Sequence, residues 1–191
     1  MPHQKLSKWG MPHRVLLENA ELQFKLALAI QTTRHLSNRP DFNYLASFSY
    51  GKHTAEHGEL MLTKEQEVFA SILLAHSTTY LCAVQIDSVL GEIVPNRFQA
   101  TDPNIRSASW IVRLIRNAFA HNPFAPVWET YPECENQTYS VQDVISLETT
   151  GLNGKPVVRK DYGGPLALLR LLHFVKTLLP ADPAASLPTR Q

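Results

Sequence analysis

The chain has 191 residues, with 18 Lys+Arg against 17 Asp+Glu and 44% hydrophobic residues. That length suits one domain whose core holds without covalent staples. The near balance of charge argues against a protein that coats duplex nucleic acid through its phosphates, and confines any nucleic acid to a local basic cleft.

Met1 to Lys8 leads into no continuous apolar core of signal-peptide type, and no stretch is expected to reach membrane-spanning length. The first helix is predicted from Pro12 to His35, because Leu16, Leu17, Ala20, Phe24, Ala27, Leu28 and Ile30 recur at helical intervals. Pro40 disfavours helical geometry before it and ends that segment. Asp41 to Leu62 shows no sustained period and reads as a long ordered loop with room for a short helix. Thr63 and Gln66 form a capping-box pattern that opens a second helix, continuing to Leu90. A third starts at Thr101 or Asp102 with Pro103 at its first position, and Asn122-Pro123 halts it after His121.

The pattern then changes. Val127 to Tyr131 and Thr138 to Thr149 are rich in β-branched and aromatic residues, Gly151 to Lys155 is a turn signal, and Val157-Val158 resumes extended structure. A small β-hairpin or meander is expected there. The last helix opens at Gly163-Gly164-Pro165 and reaches Leu179; it is apolar almost all round, which suits a buried helix or a subunit contact. Residues from Pro180 to Gln191 read as a frayed tail. The fold class is thus mainly α, a bundle of four or five helices with a β-hairpin inserted before the last, in a single domain over 1–191. Cys82 sits in an apolar helical pattern and Cys134 among polar loop residues; the pair forms no disulfide framework, and a reduced cytoplasmic setting is expected.

The chemistry concentrates in Arg116-Asn117-Ala118-Phe119-Ala120-His121. With Arg113 at zero on a helical wheel, Asn117 falls at about 40°, Arg116 at about 300° and His121 at about 80°. Ile111, Val112, Leu114, Ile115, Ala118 and Phe119 fill the opposite arc. Arg116 and His121 therefore flank a polar stripe holding Arg113 and Asn117, and the arginine is expected to reach inward over the small Ala120. Metal-free RNA cleavage needs a proton taken from the 2′-hydroxyl, a proton given to the leaving 5′-oxygen, and stabilised charge at phosphorus. Histidine titrates near neutral pH and suits the proton transfer. Arginine stays charged and offers a forked set of donors to phosphate oxygens. A positive charge is favoured at a helix C-terminus, which fits a general-acid or electrostatic role at His121.

The pattern R-N-x-x-x-H at Arg116, Asn117 and His121 resembles the signature of the HEPN superfamily, an R-x4–6-H motif near a helix end with a polar residue after the arginine. The resemblance implies a compact helical bundle and a metal-independent ribonuclease acting on an RNA substrate without a cofactor. It also implies a homodimer with both motifs in one cleft, a role in toxin–antitoxin or other defence systems, and a possible antitoxin partner. Arg116, His121 and Asn117 are then the catalytic candidates, with Arg113 and Asn122 as RNA-binding candidates. The alternatives are a catalytically inactive module that binds RNA, a nucleotide or a protein, or an ordinary helix end whose basic residues complement its dipole.

Other constellations are less specific. His53 and His57 have a metal-compatible spacing but no H-E-x-x-H order and no helical period, so a solvated loop is the better reading and no metal is expected. His76 and His173 fall in apolar helices and read as hydrogen-bonded core or interface residues. Gly151 to Gly154 lacks a Walker pattern, and Gly163-Gly164 reads as a helix entry.

Overall fold

A computed structural model of the chain describes residues 7, 8, 10–33, 47–56, 58 and 61–180. Four long α-helices carry it: α1 (His13–Thr33), α2 (Lys64–Ile93), α3 (Pro103–Ala120) and α4 (Gly164–Thr177). Two antiparallel hairpins accompany them, β1 (Ser47–Tyr50) with β2 (His53–Glu56), and β3 (Thr138–Val141) with β4 (Ile145–Glu148). The chain is mainly α with a small β insertion before the last helix, as its pattern predicts.

The helices begin where local chemistry starts them. Thr63 accepts from the Gln66 amide and Gln66 Oε1 accepts from the Thr63 amide, so two otherwise orphaned donors at the start of α2 are satisfied reciprocally. Asp102 Oδ1 accepts from the Asn104 amide at 2.8 Å, and Pro103 follows at the first helical position of α3. Gly163 and Gly164 enter α4 with φ of 85° and 82°, a left-handed geometry that other residues adopt only with strain.

Helix α2 packs against α1 and α3, α3 against β3, and α4 against α1, α2 and β4. Leu17 and Phe24 from α1, Ile86 from α2, Ile115 and Phe119 from α3 and Leu168 from α4 meet in one core. The strand alternation of β3–β4 turns Val141, Ile145 and Leu147 onto that core. Trp128, only 1% exposed, anchors the insertion by donating from Nε1 to Asp161 at 2.9 Å.

Four sequence expectations need correction. Residues 47–56 form the β1–β2 hairpin, where a loop was expected. Each strand is only four residues long, so neither sustains a period over the run, and the side chains described on them are exposed or half-buried. His53 lies exposed on β2, not on a loop, while His57 is outside the described residues. Cys134 is fully buried in a short 3-10 turn, Pro132–Cys134, although its sequence neighbours are polar. Helix α2, at 30 residues, is by length and composition long and apolar enough to cross a membrane, contrary to the expectation that no stretch is. The end of the first predicted helix beyond Thr33 and the tail beyond Pro180 lie outside the described residues.

The polar side of α4 is fastened to α1 through Glu21. Its carboxylate receives Lys176, Lys25 from one turn away, and His173 at 3.0 Å. Burial pushes this carboxyl up, but the hydrogen bonds from Lys176, Lys25 and His173 outweigh it and hold the pKa at about 2. A folded-state pKa below the unfolded one stabilises above the unfolded value, and that contribution is lost as pH falls through the folded one. Thermal melts of wild type and Glu21→Gln should therefore differ most near neutrality and converge between about pH 5 and pH 2. A gap that stays constant across that window would show that Glu21 contributes nothing through its charge.

Candidate functional site

Ile111, Val112, Leu114, Ile115, Ala118 and Phe119 are all buried, so α3 turns its polar stripe outward as its period dictates. Arg113, Arg116 and Asn117 are half-buried along that stripe. What surrounds them comes from distant parts of the chain.

Arg116 does not reach over Ala120. Its Nη1 donates to Asp87 Oδ2 of α2 at 2.7 Å, and its Nη2 donates to Asn117 Oδ1 at 3.0 Å. Asp87 is 5% exposed and is the single charged residue between Val68 and Leu90. A buried carboxylate needs partners, and Asp87 takes two guanidinium groups. The second is Arg97, itself 8% exposed, which donates to Asp87 Oδ1 at 2.5 Å and to the Asp87 carbonyl oxygen. The chain returns Arg97 to α2 through Asn96, whose φ of 53° makes the left-handed bend that asparagine tolerates.

The far side of the stripe is closed by the insertion. Asn122 Oδ1 accepts from the amides of Phe124 and Ala125 at 3.0 and 3.2 Å, a turn that reverses the chain after α3. The Val127 amide then bonds the Ala118 carbonyl at 3.2 Å, and the returning strand brings Tyr131 over Asn117. Asn117 Nδ2 donates to the Tyr131 hydroxyl oxygen at 2.7 Å. Arg113 lies between two rings, 5.2 Å from the centroid of Phe98 and 5.6 Å from that of Tyr131, in cation–π range of both.

Two guanidinium groups thus share one carboxylate, Arg113 adds a third cation beside them, and the cluster is positive. Burial pushes Arg97 below the ordinary arginine range, with Arg113 and Arg116 adding to that and Asp87 opposing it. The Arg113 guanidinium, with Asn117 and against burial, draws the Tyr131 phenol below its usual value.

His121 closes α3 as its C-cap with its side chain 78% exposed. Its Nε2 lies 3.4 Å from the Glu129 carboxylate, an exposed pair. Of the residues singled out from sequence, Arg116 and Asn117 are bonded directly, and Arg113 joins them through Tyr131. Asn122 serves the turn, and His121 stands at the helix end facing Glu129. Asp87, Arg97 and Tyr131 were not legible as site residues, although a lone acid inside an apolar helix is a signal for Asp87.

His76 presents its ring edge-on to Phe119 at 5.8 Å between centroids, and burial lowers its pKa. Its Nδ1 has no hydrogen-bond partner among the described residues. His173 is half-exposed and bonded to Glu21. Both cysteines are free and buried, and burial pushes the Cys82 thiol up to about 12, which makes it a poor nucleophile. Among the described residues no group of three or more His, Cys, Asp or Glu side chains could hold a metal ion. Comparison with protein families, with curated proteins and with solved structures finds no match to this chain.

Proposed function

We propose that the chain is a HEPN-like, metal-independent endoribonuclease of the cytoplasm, acting as a toxin or defence effector. The observation that carries the reading is the joining of the R-N-x-x-x-H run to a net-positive network on the outer stripe of α3, with an exposed histidine at the helix end. In this mechanism the 2′-oxygen attacks the adjacent phosphorus and the bond to the 5′-oxygen breaks. A 2′,3′-cyclic phosphate and a free 5′-hydroxyl result. The 2′-proton leaves to water or to the imidazole of a second protomer. A protonated His121 gives its proton to the departing 5′-oxygen and regains one from solvent. Arg116, held by Asp87 and Asn117, presents its remaining N–H groups to the phosphate without having to be ordered at the moment of reaction. RNA incubated with the protein in EDTA should yield cyclic-phosphate ends; products with 5′-phosphates would point to another chemistry.

The pairing of Arg116 with Asp87 favours a second reading. A guanidinium already fixed by a carboxylate suits a binding surface as well as a catalyst, so the same network supports a non-enzymatic module for RNA, a nucleotide or a protein such as an antitoxin.

The active form in this proposal is a homodimer. In α4, Ala167, Leu168, Leu171, Leu172 and Val175 are buried within one chain and Leu166 stays exposed, so that helix offers less free surface than its composition implies. Exposed Leu22 and Leu26 on α1 and Phe69, Leu74 and Leu81 on α2 provide apolar area instead. Light scattering at micromolar concentration should give twice the 21.5 kDa chain mass, with activity falling on dissociation. A monomer that still cuts RNA would rule out the shared cleft while leaving the motif in place.

A further inference from the structure

The Tyr131 hydroxyl ends a chain of hydrogen bonds whose directions are fixed by chemistry. The Arg116 guanidinium can only donate, so the Asn117 atom bonded to it at 3.0 Å is the amide oxygen. The Asn117 amide nitrogen must then face Tyr131, and the phenol oxygen accepts that bond at 2.7 Å. An accepting hydroxyl keeps its own proton for another partner. Among the described residues, no acceptor for that proton is bonded to Tyr131, and the groups crowding it from α3 are the cations Arg113 and Arg116. A neutral acceptor would leave the local excess of positive charge unanswered, whereas an anionic oxygen matches both the donor and the field.

We propose that Tyr131 is a phosphate-binding residue of the site: its hydroxyl donates to a non-bridging oxygen of a phosphodiester while Arg113 supplies charge beside it. Asn117 is the positioning residue that ties this donor to Arg116, so Arg113, Arg116 and the phenol address one phosphate from a preorganised frame. This rests on the proposed site but not on cleavage by it. Arg113, which lies over the half-buried ring, also donates to the phenol oxygen, so two donors hold the hydroxyl in place and its own proton is left to give.

The test measures binding to a short single-stranded oligodeoxynucleotide, which offers phosphodiesters but no 2′-hydroxyl to attack, and separately to inorganic phosphate. Tyr131→Phe removes only the hydroxyl and should weaken oligodeoxynucleotide binding about tenfold, the usual scale for a hydrogen bond to a charged group, with an unchanged melting temperature. In wild type, the ζ-carbon resonance of Tyr131 should shift as the oligodeoxynucleotide is added, a reading that needs no variant. Equal binding by the variant with an unmoved resonance would overturn the assignment, and if wild type still cuts RNA the ribonuclease reading survives that result. A loss confined to inorganic phosphate would also overturn it, in favour of a site for the free anion. Weakened binding by a protein that never cuts RNA would support Tyr131 and reject the enzyme.

Discussion

Asp87→Ala should destabilise the protein by about 3–5 kcal/mol, the range for removing one partner of a buried ion pair. The cost arises less from lost attraction than from what remains: Arg97, 8% exposed, would keep a guanidinium in the core with no counter-charge. Arg116 would lose its tether to α2, and the two helices would lose the ion pair that spans 29 positions of sequence. Because a domain of this size shifts by about 2–4 °C per kcal/mol, the thermal midpoint should fall by roughly 10 °C. A double variant, Asp87→Leu with Arg97→Met, should recover much of the loss, since an apolar pair can replace a buried ion pair at little cost. Urea unfolding of the three proteins checks both statements, and an Asp87→Ala midpoint matching wild type would show that Arg97 finds water instead.

Arg116→Lys should slow RNA cleavage about a hundredfold, the usual scale for one preorganised transition-state donor. Lysine keeps the charge but loses the planar fork that spans Asp87 and Asn117 at once. The same substitution should cost little stability, because the Arg116 side chain is one-third exposed and Asp87 retains Arg97. Cleavage at wild-type rate under single-turnover conditions would mean that charge alone matters or that the reaction occurs elsewhere. His121→Ala should abolish cleavage while moving the melting temperature by no more than about 2 °C, as exposed substitutions do.

These two expectations separate what the sequence could disclose from what it could not. The start of α3 was legible from Asp102 and Pro103, and its orientation from the period of Ile111, Ile115 and Phe119, because both signals are local. The capping box at Thr63 was legible for the same reason. Asp87 and Tyr131 reach the stripe across 29 and 14 positions of sequence, and no helical or strand period encodes a partner that far away. The direction of Arg116 escapes the wheel for that reason: the wheel lets it reach inward over Ala120, while a buried acid on another helix claims it. The β1–β2 hairpin stayed hidden because its strands are four residues each, too short for the alternation of Ser47-Phe48-Ser49-Tyr50 to stand as a sustained period.

The ribonuclease proposal is tested most directly by cleavage of mixed RNA in EDTA, with wild type and His121→Ala purified side by side and their melting curves overlaid. Wild type should produce fragments ending in 2′,3′-cyclic phosphate, and the variant, equally folded, should produce none. Equal cleavage by the two proteins, or none by a well-folded wild type, would contradict catalysis by the Arg116–His121 site.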